Sequence, residues 1–385
     1  MSLRILSYVQ HLKGVGHVFR AKRIAEAMAA RGHDVTLVLG GFEIPGLEVA
    51  GVTTHQLTPI RAGDDGYTTL VTHGDALVGE DLMHARRDTL LDLLERTQPD
   101  AILLEGFPLA RRKMRFELIP MLERAHEMTP RPVVFTSARD ILERPRKPER
   151  VVEAIETFER FCDCLLVHGD RQAGEVSESF PEVAKLADRT IYTGLVGPTK
   201  TQSAAATERY DIIASAGGGA VGLPLLSAAI EAKSRSAAAD LKWLVLTGPN
   251  LKQTDFDLLS DLGDRHGVTV SRFHPDLRSL MAGARVSIQQ AGYNTVADLL
   301  VTRCAGVLVP YAAGVETEQT VRADALEARG RVVVVREAEL SQDTLAAGID
   351  QALQMDVPEW RIDLNGAEAS AIAVEQDVAR RRQST

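Results

Sequence analysis

The sequence predicts an α/β protein built from two doubly wound, Rossmann-like domains in tandem. Three observations predict it. Apolar runs of strand length alternate with helix-period segments throughout. The chain has 385 residues, enough for two hydrophobic cores. The alternation starts afresh after YTGLVGPTKTQSAAATERYD, residues 192–211, a Gly-, Ser-, Thr- and Ala-rich stretch with little periodicity that reads as a linker and hinge.

In the first half, residues 3–9 are strand one. Residues 18–31 form an amphipathic helix with Ile24, Ala25 and Met28 on one face, stopped at Gly32. Residues 34–39 are strand two. Later strands are 101–104, 133–136 and 164–167, with helices at 86–98 and 149–161. Residues 44–80 mix short β-like pieces with glycine-rich loop. After the linker come strands at 212–214, 242–246, 268–272, 286–288, 306–309 and 332–335. Helices lie around 222–234, 276–282, 295–302, 317–329 and 342–354, and a last helix spans 366–382.

Composition bounds the function. Hydrophobic residues make up 45% and charged residues 25%, as in ordinary globular proteins. The net charge of −9 argues against a nucleic-acid partner. Cys162, Cys164 and Cys304 are too few for a disulfide framework and point to the reducing cytoplasm. The Cys162-x-Cys164 pair reads as small buried hydrophobes, because no second pair completes a metal site. No stretch approaches the roughly 20 apolar residues of a bilayer span. MSLRILSYVQ reads as a strand rather than a signal peptide.

Ligands of doubly wound sheets bind beyond the carboxyl ends of the strands, and with two such domains the cleft between them is the expected active site. The first strand-end loop holds Gly14, Gly16 and His17. It is a poor dinucleotide fingerprint: Phe19 stands at the third glycine position, and Gly40-Gly41, not an acidic residue, close strand two. It reads as a backbone nest for an anion or acceptor oxygen, with an imidazole beside it. Glu105, Arg139, Asp140 and His168 follow other strands of this half and are candidates for the acceptor side of a pocket.

The second half opens with DIIASAGGGAVG, residues 211–222. Gly217, Gly218 and Gly219 let backbone N–H groups approach a diphosphate at a helix N-terminus. Residues 286–330 carry a second such turn. Gly292, Asn294 and Thr295 open a helix and suit phosphate, and Asp298 one turn later suits ribose hydroxyls. Glu318 and Gln319 offer acceptor and donor groups to a sugar, and Arg322 stands at i+4 from Glu318.

GVGHVFRAKRIAEAMAARGHDV, YTGLVG, SAGGGAVG and QQAGYNTVADLL…VLVPY…ETEQTVRADAL resemble the GT-B glycosyltransferases, in the branch of the lipid-linked peptidoglycan N-acetylglucosaminyltransferase. The resemblance covers most of the chain. It implies an N-terminal acceptor-binding domain (1–195), a nucleotide-sugar-binding domain (208–362), and a C-terminal helix (363–385) packing back on the first domain. The three glycines and the Gly292–Thr295 turn would surround the diphosphate. Asp298 stands where the family has a longer glutamate on the ribose. Glu318 and Gln319 would hold the donor sugar, and Phe273 and His274 would bracket the base. His17 matches the family's histidine, taken as general base or as a donor-phosphate contact.

The expectation is a cytoplasmic inverting glycosyltransferase of hexosyltransferase type, using a nucleotide-diphospho sugar, UDP-linked, with an unidentified acceptor. No cofactor and no metal are expected: Asp255-Phe256-Asp257 lies in a helix, where i and i+2 face apart. Arg20 makes the turn G-x-G-H-x-x-R, which also resembles a nucleotide-sugar hydrolase of the same fold, and a 2-epimerase shares the architecture. A non-catalytic nucleotide-sugar sensor is the third reading. Arg111, Arg112, Lys113 and Arg115 beside Phe116 form a basic run. A solvated helix face or a basic acceptor-binding rim is favoured there over peripheral membrane contact.

Overall fold

The computed structural model of the chain describes residues 2–383 apart from 13–14, 45, 64–68, 198–207, 217–221, 249–250, 275–276, 313–316 and 361. Gly14, the glycine cradle Gly217, Gly218 and Gly219, and residues 198–207 of the expected linker therefore lie outside the described residues. The chain forms two compact units. One comprises Met1–Arg171, Glu175–Val196 and Asn365–Thr385; the other comprises Gln172–Gly174 and Gly197–Leu364.

The first unit is built from β1 (Arg4–Val9), α1 (Gly16–Ala30), β2 (Asp34–Leu39), β3 (Thr53–Gln56), the small antiparallel pair β4 (Arg61–Ala62) and β5 (Leu70–Val71), α2 (Glu80–Thr97) and β6 (Ala101–Glu105). It continues through α3 (Arg115–Glu127), β7 (Val133–Arg139), α4 (Pro148–Phe161), β8 (Cys164–His168), α5 (Val176–Ser179) and β9 (Thr190–Tyr192). Seven of these strands make one sheet in the order β3-β2-β1-β6-β7-β8-β9, with every pair parallel. Strands covered on both faces must be apolar on both. β6 and β8 accordingly read AILLE and CLLVH, with every residue buried. The winding direction reverses between β1 and β6, so the switch point of this sheet lies at their carboxyl ends.

α3 and the one-turn α5 were not among the expected helices. α3 contains Pro120, which argues against a helix from sequence. Leu118, Met121, Leu122 and Ala125 recur at helical spacing and are buried, and this apolar face holds the helix despite the proline. α3 also supplies Glu117, whose carboxylate meets Arg86 of α2 at 2.8 Å with both side chains fully buried. Arg86 donates further to the carbonyl of Gly40 and to Gln10 Oε1, so the pair braces the ends of β1 and β2.

The second unit holds β10 (Ile212–Ser215), α6 (Leu223–Ala232), β11 (Trp243–Leu246), α7 (Gln253–His266), β12 (Thr269–Ser271), α8 (Leu277–Gly283) and β13 (Val286–Gln289). After these come α9 (Tyr293–Thr302), β14 (Ala305–Leu308), α10 (Glu318–Ala328), β15 (Val332–Val334) and α11 (Gln342–Leu353). Its parallel sheet runs β12-β11-β10-β13-β14-β15, with the switch point between β10 and β13.

The last helix, α12 (Gly366–Gln383), belongs to the first unit and packs on α1. Its entry needs glycine: a Cβ on Gly366 would stand 2.5 Å from the Gly194 carbonyl oxygen. Glu375 accepts from Arg31 at 2.6 Å and meets His33 Nε2 at 2.8 Å, which ties α12 to the end of α1. Among the described residues no helix is long and apolar enough to cross a membrane. All three cysteines are buried free thiols, and burial pushes each up to about 12.

Candidate active site

His17 is the second residue of α1, and Glu105 is the last residue of β6. β1 and β6 are parallel neighbours with Tyr8 opposite Leu104, so the turn after β1 meets the end of β6 at the switch point. There His17 Nδ1 lies 2.9 Å from Glu105 Oε1. Arg20, one helical turn on, donates through Nη2 to the same Glu105 oxygen and stands 2.9 Å from His17 Nδ1. Glu105 was expected to face an acceptor. It is 3% exposed and stands behind the imidazole instead.

Counting hydrogens assigns the network. Ser137 Oγ, on neighbouring β7, donates to Glu105 Oε2 at 2.7 Å. His168 Nε2 lies 2.7 Å from that same Ser137 oxygen and must donate to it, since the hydroxyl proton is already used. His168 Nδ1 then accepts from Thr193 Oγ1 at 2.8 Å. At the other end, a proton on His17 Nδ1 satisfies Glu105. Arg20 Nη2, 2.9 Å from the same nitrogen, donates to a bare Nδ1, so both tautomers find a partner; with the proton on Nδ1, facing Glu105, Nε2 keeps a lone pair able to accept one. This is the orientation that a carboxylate imposes on a histidine base.

Electrostatics agree with a neutral imidazole. Burial, then the positive charge of Arg111, push His17 down to about 3, against the pull of Glu105. Burial works to raise Glu105, but Arg20 and His17 outweigh it and hold the carboxyl well below its usual range. His168 is pushed down to about 3 by burial first and then by Arg20. It has no exposed surface and both ring nitrogens are engaged. The expectation that His168 faces an acceptor is corrected on that ground: it supports Glu105 through Ser137. Arg139 ends β7 and Asp140 follows it, both half-buried. A Cβ on Gly169 would come within 2.9 Å of Asp140 Cβ, so the loops after β7 and β8 meet there.

Ser137 and Thr193 were not singled out as site residues, because a serine or threonine at a strand end carries no distinctive sequence signal. Arg20 was seen only as a departure in a motif. It is 4% exposed and engages Glu105, so its side chain is committed to holding the carboxylate.

In the second unit Gly292, Asn294, Thr295 and Asp298 follow β13, Glu318 and Gln319 follow β14, and Phe273 and His274 follow β12. Gly292 caps α9 with an extended backbone and no side-chain cap, and the first N–H groups of a helix are the ones that suit an anion. Asn294 is exposed and Thr295 half-buried on that first turn. Asp298, further along α9, is held in an ion pair by Arg278 of α8, with Nε donating to Oδ1 at 2.9 Å. Arg278 carried no sequence signal as a partner, because the two are 20 residues apart on different helices.

Gln319 Oε1 accepts from the backbone N–H of Ala291 at 3.0 Å and of Tyr311 at 3.1 Å, linking the loops after β13 and β14. Glu318 accepts from Arg322 at 2.7 Å and is 8% exposed. Phe273 is 67% exposed, and His274 beside it is half-buried. Asp255 and Asp257 lie on α7, where Asp257 accepts from Gln253.

Residues 215–370 match the family model described as "Glycosyltransferase family 28 C-terminal domain". This part of the chain is thus similar to the C-terminal domain of that glycosyltransferase family. It contains every candidate of the second unit, from Gly217 to Gln319. The relatives include the UDP-N-acetylglucosamine--N-acetylmuramyl-(pentapeptide) pyrophosphoryl-undecaprenol N-acetylglucosamine transferase of Paramagnetospirillum magneticum, 28% identical over 189 residues, 46% of this chain and 50% of that protein. The same-named Listeria monocytogenes protein is 26% identical over 206 residues, 51% of this chain and 54% of its own. The chain thus spans about half the length of the curated relatives it matches.

Solved structures extend the likeness to the whole fold. The calicheamicin glycosyltransferase CalG4 superposes with a TM-score of 0.62 at 13% identity, covering 99% of this chain and 95% of its own. Acinetobacter baumannii MurG gives 0.62 at 14%, covering 97% and 95%. The spinosyn rhamnosyltransferase SpnG, complexed with thymidine diphosphate, gives 0.58 at 16%, covering 98% and 96%. The fold of the chain is GT-B.

Proposed function

We propose that the chain is an inverting, metal-independent glycosyltransferase that moves a hexosyl group from a nucleoside-diphosphate sugar to an acceptor hydroxyl. The observation that carries this reading is the His17–Glu105 pair at the first switch point. In this reading Glu105 holds the proton on Nδ1 and Nε2 is the proton acceptor. His17 takes the acceptor's proton. The oxygen attacks the anomeric carbon through an oxocarbenium-like transition state, and the nucleoside diphosphate leaves. An anionic substrate raises the pKa of a neighbouring histidine, which strengthens such a base once substrate is bound.

The family 28 domain is the donor side. The backbone N–H groups at the start of α9, with those of the Gly217, Gly218 and Gly219 turn, stabilise the leaving diphosphate. Phe273 and His274 bracket the base. Asp298 takes the ribose, and Glu318 with the amide of Gln319 takes the sugar hydroxyls. The peptidoglycan relatives use a UDP sugar by name, which supports a UDP donor here. SpnG was captured with thymidine diphosphate, so dTDP sugars belong in the same test.

The test is nucleotide release from UDP-, dTDP- and GDP-sugars without acceptor, for wild type and His17→Ala. Saturable binding of one donor with slow release supports a transferase awaiting its acceptor. Fast, His17-dependent, multiple-turnover release makes the chain a nucleotide-sugar hydrolase or 2-epimerase. Tight binding with no turnover toward any acceptor, unaffected by His17→Ala, makes it a sensor.

A further inference from the structure

The loop that leaves Glu105 walls a cavity of about 310 Å³ within the first unit. Gly106, in the left-handed region at φ 81°, turns the chain immediately after Glu105. The Ala110 N–H closes the turn on the Gly106 carbonyl at 2.6 Å. This folds Arg111 back toward the strand end, where a Cβ on Gly106 would lie 3.5 Å from Arg111 Cγ. Arg111 lines the cavity, and its positive charge also bears on His17 and on His11. Arg111 is thus common to the cavity lining and to the charge around the base.

The lining has two characters. Phe107, Leu109, Ile119 and Ala154 give an apolar floor. Arg111, Arg112, Arg115 and Arg150 stand over it against two carboxylates, Glu143 and Glu153. Glu153 is engaged by both Arg112 and Arg115. Four guanidinium groups against two carboxylates leave a positive excess in a concave, partly apolar site. Planar guanidinium forks match carboxylate and phosphate oxygens. The volume sits at the low end of small-molecule sites, roughly 300–1,000 Å³. A long hydrocarbon chain does not fit such a space; one or two rings do.

We infer that this cavity is the acceptor subsite, and that it takes a compact apolar body carrying a carboxylate or a phosphate. The inference rests on the transferase reading for the word acceptor, and on the cavity alone for the ligand class. It also accounts for the basic run at 111–115 as the rim of a small-molecule site.

The experiment is calorimetric titration of the full chain with 6-hydroxy-2-naphthoate, its methyl ester, 2-naphthyl phosphate and farnesyl phosphate. The proteins are wild type, Arg150→Gln and Thr157→Trp; Thr157 is a half-buried cavity residue on α4. Circular dichroism and Tm verify that both variants fold. The acid or the aryl phosphate is expected to bind at least tenfold more tightly than the ester, and the tighter of the two names the anion. Arg150→Gln is expected to shrink that preference severalfold, and Thr157→Trp to abolish binding. Equal binding of acid and ester, unchanged binding in a folded Thr157→Trp, or binding of farnesyl phosphate alone overturns the inference. The two readings fail separately. If the acid binds as expected but no nucleotide sugar ever glycosylates it or any other alcohol, the transferase reading falls and the site stands. If sugar transfer proceeds at the wild-type rate in Thr157→Trp, the site falls and the transferase stands.

Discussion

Acidification from pH 6 to pH 5 is expected to destabilise the first unit selectively. Folding buries His17 and His168 as neutral imidazoles, each pushed from 6.5 down to about 3. Between those values the unfolded chain binds two protons that the folded unit does not. Stability therefore rises with pH through this window, is fully present above about 6.5, and is lost as pH falls. Each histidine contributes a loss of about 1.2 kcal/mol between pH 6 and 5, and the pair about 2.4 kcal/mol. His11, also lowered by burial and by Arg111, adds in the same direction. Glu105, held low, adds only below the ordinary carboxylate range, so pH 5 to 6 isolates the histidines. Both tryptophans, Trp243 and Trp360, lie in the second unit, so their fluorescence does not report on the first. Hydrogen exchange followed by mass spectrometry does. After correction for intrinsic rates, protection of the β6 peptide is expected to fall roughly 60-fold from pH 6 to 5, the equivalent of about 2.4 kcal/mol. His168→Gln is expected to lower stability overall but to reduce that pH dependence by about half. An unchanged dependence in His168→Gln would refute the argument, because the slope counts protons and not contacts.

Three further outcomes are expected. Glu105→Gln offers His17 Nδ1 an amide donor in place of a carboxylate, favours the tautomer with a protonated Nε2, and lowers turnover about 10³–10⁴-fold with nucleotide affinity nearly intact; a loss under tenfold in steady-state kinetics would remove Glu105 from that role. Asp298→Ala is expected to weaken nucleoside-diphosphate binding at least tenfold by calorimetry, whereas an unchanged Kd with a lowered Tm would leave Asp298 as no more than the counterion of the buried Arg278. Arg86→Met strands the fully buried Glu117 and is expected to cost about 3–5 kcal/mol, read as a shift of the first unit's urea transition by circular dichroism, with Arg86→Met/Glu117→Leu recovering part of it; a single-variant cost below about 1 kcal/mol would contradict the packing described here.

Much of the architecture was legible because parallel strands leave a strong mark. β2 reads DVTLVL between Gly32 and Gly40, and its span matches the expected 34–39. α1 and α9 each begin two residues earlier than periodicity placed them, since a first turn carries few core contacts to mark it. The pairs at 53–56, 61–62 and 70–71 were not resolved from sequence, being too short for alternation to register. α3 was hidden by Pro120 and by the basic run that precedes it.

Local sequence by itself determined the strand-end positions of the chemistry: a histidine in the first turn, a carboxylate after the Ala101 strand, and a helix-opening glycine turn at Gly292. Those follow from periodicity and turn chemistry within a few residues. Only the tertiary structure decided who partners whom. His17 and Glu105 are 88 residues apart and meet because β1 and β6 flank the switch point. His168 is a support rather than a surface group because β8 lies inside the sheet, beside β7, and its loop is closed by Thr193. Arg20 and Asp298 are committed to Glu105 and Arg278 for the same reason. Strand order and register fix which strand ends are neighbours, and they are set by how whole helices and strands pack, a quantity no local window of residues contains.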